Sequence, residues 1–127
     1  MINGASEQQY VGGQVLLQIK GELATIFLGS SDEQLIMLTE RRLISLAQAL
    51  QDVLKHGAKG LVIIGPHDQM FCAGTDIKDL AAVVHSKNAE ELSRQVQDLF
   101  EQIANLPITT VAAISGSCLG GGTELAL

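Results

Sequence analysis

Two glycine-containing stretches stand out as places where this chain could do chemistry. One is "FCAGTDIK" (residues 71–78), and the other is "GSCLGGGTEL" (residues 116–125). Glycine permits backbone conformations and close approaches that a β-carbon forbids, and the N–H groups at the start of a helix attract negative charge. Each stretch follows an apolar segment, as a strand-to-helix turn does. Two such turns that face each other could direct two N–H groups at one oxygen, which is the arrangement of an oxyanion hole.

Glu124 lies just beyond three consecutive glycines, one turn into the segment that follows them. A carboxylate there would stand beside whatever the N–H groups hold, and burial would raise its pKa toward the range useful for proton transfer. The residues thus suggest a hypothesis in which N–H groups stabilise charge and Glu124 moves a proton. A plainer interpretation stays open: the glycines allow close packing, and the helix dipole favours a glutamate in the first turn.

Other catalytic patterns have less support in the sequence. The chain contains neither G-x-G-x-x-G nor G-x-x-x-x-G-K-[ST], so neither a dinucleotide site nor a P-loop is indicated. Its three histidines have no carboxylate or cysteine at metal-ligand spacing, so no metal site is predicted. Two alternatives concern the cysteines. Cys72 or Cys118 could form a nucleophile–base pair with His67, or both could be reduced, buried thiols.

The composition restricts the classes of partner. The 127 residues carry a net charge of −6, with only eight Lys and Arg residues, which are scattered. A nucleic-acid partner would require a basic face. No run reaches the roughly 18 apolar residues that a membrane helix needs, and the opening "MINGASEQQY" lacks the regions of a secretory signal. We therefore predict a cytoplasmic protein that binds neither nucleic acid nor membrane.

Alternating strands and helices must position the two stretches. Val15 to Ile19 and Leu23 to Leu28 are predicted to be strands joined by a turn at residues 20–22. A helix follows, with Thr39 as its N-cap and Gly57 at its end. Its apolar stripe consists of Leu43, Leu46, Ala47, Leu50, Val53 and Leu54.

The second half repeats the alternation. "GLVIIG" (residues 60–65) is apolar without alternation, which is typical of a strand covered on both faces. Asn88 and Glu91 form a candidate capping box for a second helix. The apolar stripe of that helix consists of Leu92, Val96, Leu99, Phe100 and Ile103. "TTVAAI" (residues 109–114) is then predicted to be another buried strand, and the order of elements indicates a single α/β unit.

Beyond these arguments, the chain resembles the enoyl-CoA hydratase/isomerase family, also called the crotonase superfamily. "MFCAGTDIKDL" is similar to the family's F-x-A-G-A-D-[IL] segment, and "VAAISGSCLGGGTELAL" to its A-x-x-G-x-x-x-G-G-G-x-E-L-A-L segment. "GSCLGGG" is most similar to the hydratase domain of multifunctional fatty-acid-oxidation proteins. The resemblance implies a ClpP/crotonase-type spiral of repeated β-β-α units. We expect a tail over residues 1–14 and, over residues 15–127, the N-terminal part of such a domain, truncated before its C-terminal helices.

The resemblance also implies a reaction and a set of site residues. The substrate would be an acyl-CoA thioester, and the reaction the reversible syn addition of water to a 2-enoyl-CoA in fatty-acid β-oxidation. No cofactor is implied besides the coenzyme A of the substrate. By motif position, the N–H groups of Thr75 and Gly121 would form the oxyanion hole, and Glu124 would be a catalytic glutamate. The other implied substrate contacts are Met37 and Ala73 near the adenine end, and Asp76, Ile77 and Lys78 along the thioester and pantetheine.

Departures from the family pattern leave alternatives open. Thr75 replaces an alanine, which its backbone role tolerates, and Ile36 stands where the family has an asparagine. The hydratases use a second glutamate further along the chain, whereas three residues follow Glu124 here. We therefore expect no turnover from the chain alone, and trimers or hexamers only at full length. The alternatives are an enoyl-CoA isomerase of the same superfamily and a non-catalytic acyl-CoA-binding or assembly fragment.

Overall fold

A β-hairpin opens the larger of two sheets, as the turn residues predict. In the computed structural model, which describes residues 7–11, 14–73, 89–118 and 125–127, β2 (Val15–Lys20) pairs antiparallel with β3 (Leu23–Phe27). Gly21 lies in the turn with φ of 61°, in the left-handed region that favours glycine. The two predicted strands and their turn are therefore confirmed to within one residue.

A strand that the sequence did not predict extends this hairpin. β1 (Glu7–Val11) pairs antiparallel with β2, with Val11 opposite Val15. The segment expected to be a tail, residues 1–14, thus contains an edge strand of the sheet. The segment was mistaken for a tail because four of its five strand residues are polar or half-polar, so no apolar alternation marks it.

Helix α1 (Glu40–Lys55) follows the hairpin and has the predicted caps. The Arg42 N–H donates to the Thr39 hydroxyl at 3.1 Å, and Gly57 follows the helix with φ of 70°. Leu46, Leu50 and Val53 are buried, as the apolar stripe predicts. The assignment of Leu54 to that stripe is wrong, since its side chain is 43% exposed.

Parallel strands complete the sheet through helical crossovers. α1 leads from β3 to β4 (Gly60–Ile64), and α2 (Ala89–Ala104) leads from the first half of the chain to β6 (Thr109–Ala113). The sheet order is β1-β2-β3-β4-β6, with β3, β4 and β6 mutually parallel. Parallel neighbours need such crossovers because no short turn can join them.

The core lies between the sheet and its helices. One row of Cα partners crosses four strands, from Leu17 through Ile26 and Ile63 to Ala112. The first three are almost completely buried, and Leu99 of α2 joins them in the core. β4 alternates between buried and half-buried residues, so one of its faces is more completely covered than the other.

β6 differs from the buried strand that its composition predicts. It forms one edge of the sheet in the described part of the chain, and Val111 is 51% exposed. The prediction of a buried strand at residues 109–114 is therefore wrong for the part of the chain that the structure describes. Apolar composition indicated a strand correctly, but it did not indicate the strand's place in the sheet.

Two short strands form a separate parallel sheet. β5 (Met70–Cys72) follows β4, and β7 (Ser117–Cys118) follows β6. The chain therefore runs β2-β3-α1, then β4-β5-α2, then β6-β7, which confirms the expected α/β fold of repeated β-β-α units. None of the helices in the described ranges is long and apolar enough to span a membrane.

Candidate active site

The two glycine-containing stretches start from neighbouring strand ends. β5 leads into the first stretch and β7 into the second, and the two strands are parallel. Met70 is the Cα partner of Ser117, and Cys72 is the partner of Cys118, with an irregularity in the ladder between Met70 and Cys72. Parallel strands point the same way, so both stretches leave from the same edge of this small sheet.

Backbone groups hold the two strands in this register. We call residues 65–72 and 114–118 together the β5–β7 junction. The Ser117 N–H donates to the Gln69 carbonyl at 3.1 Å, and the Ser115 hydroxyl donates to the Asp68 carbonyl at 2.8 Å. Gly116 has φ of 81°, and a β-carbon on it would overlap the backbone of Gln69. The junction therefore depends on a close approach that only glycine allows.

The two residues predicted near the adenine end of CoA come close together. The Ala73 N–H donates to the carbonyl of Ile36 at 2.7 Å, next to Met37. The Met37 carbonyl accepts from the Thr39 N–H at 3.0 Å and from the Arg42 Nε at 2.9 Å. Met37 and Ala73 are both half-buried. The structure thus ties the β3–α1 connection (residues 28–39) to the end of β5, while the CoA contacts stay a prediction.

Arg42 organises the β3–α1 connection from inside. Arg42 is only 5% exposed, and its guanidinium donates to the carbonyls of Gln14 (2.8 Å) and Leu28. Glu33 Oε2 lies 2.7 Å from Arg42 Nη2, and Glu33 Oε1 accepts from the Ser30 N–H at 3.0 Å. A buried guanidinium is tolerated when its donors are paired in this way.

The sequence contains a pattern that indicates the burial of Arg42, although Arg42 is not among the predicted site residues. Arg42 lies four residues before Leu46 and seven before Ala49, which places it on the apolar face of α1. A charged residue at such a position must find buried partners. Those partners come from two separate segments, the turn at Gln14 and the β3–α1 connection, so the periodicity could indicate that Arg42 needs partners without indicating which residues they are.

One exposed carboxylate beside Arg42's partners has a shifted pKa. The Ser30 hydroxyl donates to the Asp32 carboxylate, and this hydrogen bond lowers the pKa of Asp32. A hydrogen bond to the charged form of an acid favours that form. Asp32 therefore remains ionised at neutral pH and adds to the negative charge at the outer surface of the connection.

His67 has a structural role in the junction. Its Nδ1 accepts from the Gln69 N–H at 3.2 Å, and its Nε2 lies 2.9 Å from the Glu33 carbonyl oxygen. Because that oxygen can only accept, Nε2 carries the proton and the ring is neutral. With both ring nitrogens engaged by the backbone, the alternative that pairs His67 with Cys72 or Cys118 as a catalytic base is wrong.

The remaining predicted site residues lie outside the described residues. They are the oxyanion donors Thr75 and Gly121, the glutamate Glu124, and the positions Asp76, Ile77 and Lys78. Asn88, the predicted cap of α2, also lies outside. Within the described ranges, no three His, Cys, Asp or Glu residues cluster as a metal site would need. The assignment of these site residues stays a prediction.

Comparison with protein families gives a match over most of the chain. The family model described as enoyl-CoA hydratase/isomerase matches residues 33–127, about three quarters of the chain. Among curated proteins, the fatty acid oxidation complex subunit alpha of Vibrio campbellii is 49% identical over 71 residues, which is 56% of this chain and 10% of that protein. The same subunit of Aliivibrio fischeri is 45% identical over 82 residues, which is 63% of this chain and 12% of that protein.

Solved structures share the fold over nearly the whole chain. Pseudomonas aeruginosa DspI has a TM-score of 0.78 and 26% identity, covering 89% of this chain and 46% of its own. An enoyl-CoA hydratase/carnithine racemase from Magnetospirillum magneticum has a TM-score of 0.81 at 22% identity, covering 95% and 44%. The chain thus spans about a tenth of its curated relatives and less than half of these solved chains.

Proposed function

The chain belongs to the enoyl-CoA hydratase/isomerase family, and from that premise we propose that it forms the thioester-holding part of a 2-enoyl-CoA hydratase. The substrate is an acyl-CoA, and the reaction is the reversible syn addition of water to its double bond. The names of the curated relatives, which are subunits of fatty acid oxidation complexes, support a place in fatty-acid β-oxidation. The single observation that carries the proposal is the register of Cys72 with Cys118.

Because of that register, each predicted donor follows one of the two paired cysteines by the same number of residues. Thr75 lies three residues after Cys72, and Gly121 lies three residues after Cys118. The described strand ends from which the two segments depart are parallel neighbours. This supports the proposal that the N–H groups of Thr75 and Gly121 serve one oxygen.

The chemistry follows from where negative charge develops. When water adds to C3 of the enoyl group, the C2=C3 electrons move toward the thioester oxygen and form an enolate. Two fixed N–H dipoles stabilise that enolate more than the carbonyl of the ground state, so they lower the barrier. Removing one donor from such a site costs about 3–4 kcal/mol of transition-state stabilisation. Glu124, one of two acid-base residues of the proposed hydratase, then exchanges a proton with water or with C2.

The nucleotide end of the substrate is assigned to the β3–α1 connection. The hydrogen bond from Ala73 to Ile36 holds the end of β5 against this connection, and Arg42 holds the connection from inside. The family resemblance implies that Met37 and Ala73 lie at the adenine end of CoA, and this hydrogen-bonded arrangement supports that proposal. Trimeric or hexameric assembly of a full-length protein belongs to the same proposal.

The test measures enolate stabilisation without needing turnover. Acetoacetyl-CoA forms an enolate that absorbs in the near ultraviolet, and an oxyanion hole increases the bound enolate fraction. We expect the absorbance to rise when the chain is titrated with acetoacetyl-CoA. Thr75→Pro should abolish the rise, because proline has no N–H. Thr75→Ala, the matched control, should retain it, because the N–H remains.

Glu124 separates binding from proton transfer in the same assay. Glu124→Gln should keep the enolate signal, since the donors are unchanged. An equal enolate signal in Thr75→Pro and wild type, with circular dichroism showing both folded, would overturn the proposed hole. Acyl-CoA binding without any enolate signal would instead identify a non-catalytic binding module.

A further inference from the structure

The two cysteines of the chain are neighbours across the small sheet. Cys72 and Cys118 are the only cysteines in the sequence, and they are Cα partners in the parallel β5–β7 ladder. Paired residues of adjacent strands direct their side chains to the same face. Adjacent strands lie roughly 4.7–4.9 Å apart, within the range of roughly 4.4–6.8 Å that Cα atoms span across a disulfide. Both residues are thiols in this structure.

Their exposure differs in a way that sets an order of reaction. Cys72 is completely buried, whereas Cys118 is only half-buried. A small oxidant therefore reaches the sulfur of Cys118 first, because oxidation of thiols follows exposure and thiolate character. The Cys72 sulfur is then the neighbouring group that can resolve the oxidised product.

We propose that Cys72 and Cys118 form an oxidative modification site at which a hydroperoxide produces an intramolecular disulfide. The Cys118 thiolate attacks the peroxide, the O–O bond breaks, and Cys118 becomes a sulfenic acid while water or an alcohol leaves. The Cys72 sulfur then attacks the sulfenic sulfur, the S–O bond breaks, and a water molecule leaves. The two thiols lose two protons and two electrons in total, and the peroxide takes up all of them as its O–O bond is reduced to water and an alcohol or a second water.

The cross-link acts on the site of the proposed function, and this part of the inference rests on that function. Each cysteine precedes a predicted oxyanion donor by three residues. A disulfide needs Cβ atoms roughly 3.5–4.5 Å apart, closer than the strand spacing provides, so it draws the two strand ends together. The backbones of Gly116 and Gln69 already approach so closely that a β-carbon on Gly116 would overlap Gln69. The spacing of the donors changes, and acyl-CoA binds less tightly.

The primary experiment is an intact-mass measurement of the chain treated with hydrogen peroxide under native conditions. We expect a monomer that has lost two hydrogen atoms, a proteolytic fragment joining Cys72 to Cys118, and reversal of both by a thiol reductant. Peroxide treatment in urea provides the matched comparison, because unfolding removes the strand register and should slow the cross-link at least about tenfold relative to the native chain. Oxygen additions without a cross-link, disulfide-linked dimers, or equal rates in urea would overturn the proposal.

Two variants test the order of the steps. Cys72→Ala leaves Cys118 as the only thiol of the chain. Without a second sulfur to resolve it, the oxidation of Cys118 should give products that have gained oxygen and no intramolecular disulfide. Cys118→Ser leaves the buried thiol alone, so Cys72 should react roughly tenfold more slowly than Cys118 does in the other variant. Faster oxidation in Cys118→Ser than in Cys72→Ala would overturn the assigned order. Hydrogen-exchange protection of α1 confirms that each variant is folded.

The effect on the site has its own measurement. Crotonyl-CoA should bind the cross-linked chain about tenfold or more weakly than the reduced chain, because small misplacements of positioning groups have effects of this size. Equal binding by both forms would overturn the coupling, while the mass result would still establish the disulfide. Absence of binding by the reduced chain would instead count against the proposed function, and the mass result would again be unaffected.

Discussion

The large sheet and the β5–β7 junction differ in the kinds of contact that hold them together. In the sheet, side chains do the work: Ile26, Leu61 and Val53 are almost completely buried between strands and helix. The junction also buries side chains, such as Phe71 and Cys72, but it adds close backbone contacts: the hydrogen bond from Ser117 to Gln69 and the close approach of Gly116. A packed side-chain core tolerates conservative apolar changes, whereas a backbone contact leaves no space for any side chain. The candidate site lies at the less tolerant of the two regions.

The largest predicted effect comes from giving the junction one methyl group. Gly116→Ala combines a left-handed φ of 81° with overlap against the backbone of Gln69, so we expect a loss of about 3–5 kcal/mol in the free energy of unfolding. The measurement is urea denaturation followed by circular dichroism.

Gly57→Ala is the matched control for this change. Gly57 also has a positive φ, 70°, but a β-carbon there would meet nothing within 4 Å. We expect a loss of only about 1–2 kcal/mol, which is the conformational strain alone. Equal losses in the two variants would contradict the claim that close approach, rather than φ, defines the junction.

The next effect concerns Arg42, the residue that holds the β3–α1 connection from inside. Arg42→Met should keep much of the buried volume but leave Glu33 and the carbonyls of Gln14 and Leu28 without their donor. The side chain of Glu33 is 34% exposed, so water compensates part of the loss, and we expect about 2–4 kcal/mol.

Arg41 offers a control for charge at the neighbouring position. Arg41 is exposed on the same turn of α1, and Arg41→Met should change the free energy of unfolding by less than about 0.5 kcal/mol. Thermal unfolding of both variants at the same ionic strength measures the two losses of stability for comparison. Similar losses for Arg41→Met and Arg42→Met would show that net charge, not the buried network, is responsible.

The smallest of the predicted losses comes from the N-cap of α1, Thr39. Thr39→Ala removes the hydroxyl that accepts from the Arg42 N–H, and such caps contribute about 1 kcal/mol. Thr39→Ser keeps the oxygen and should be close to wild type in urea denaturation. A full loss in Thr39→Ser would assign the effect to packing of the threonine methyl group instead.

Local patterns predicted the parts of the fold that local forces decide. The strands β2 and β3, the Thr39 cap, the end of α1 at Gly57, and the stripe that contains Leu99 all follow from periodicity and turn chemistry, and all are confirmed. β1 escaped notice because its residues are mostly polar. β6 was misplaced in the interior because apolar composition does not distinguish a central strand from an edge strand.

The candidate site also contains features that local sequence patterns predicted and features that depend on distant contacts. The glycine stretches could be identified from sequence, and so could the resemblance that assigns roles to Thr75, Gly121 and Glu124. The neutral His67 ring and the buried Arg42 network could not, because their partners come from segments far apart in the chain. Hydrogen bonds of this kind have no periodicity and no fixed spacing.

The sequence by itself determined the order of β2, β3, α1, β4, α2 and β6, the places where glycine is needed, and the family to which the chain belongs. Only the tertiary structure decided that Cys72 stands opposite Cys118 and that Ala73 is bonded to Ile36. The reason is physical: propensities and caps act within a few residues, whereas two- and three-residue strands acquire their register from contacts with distant segments.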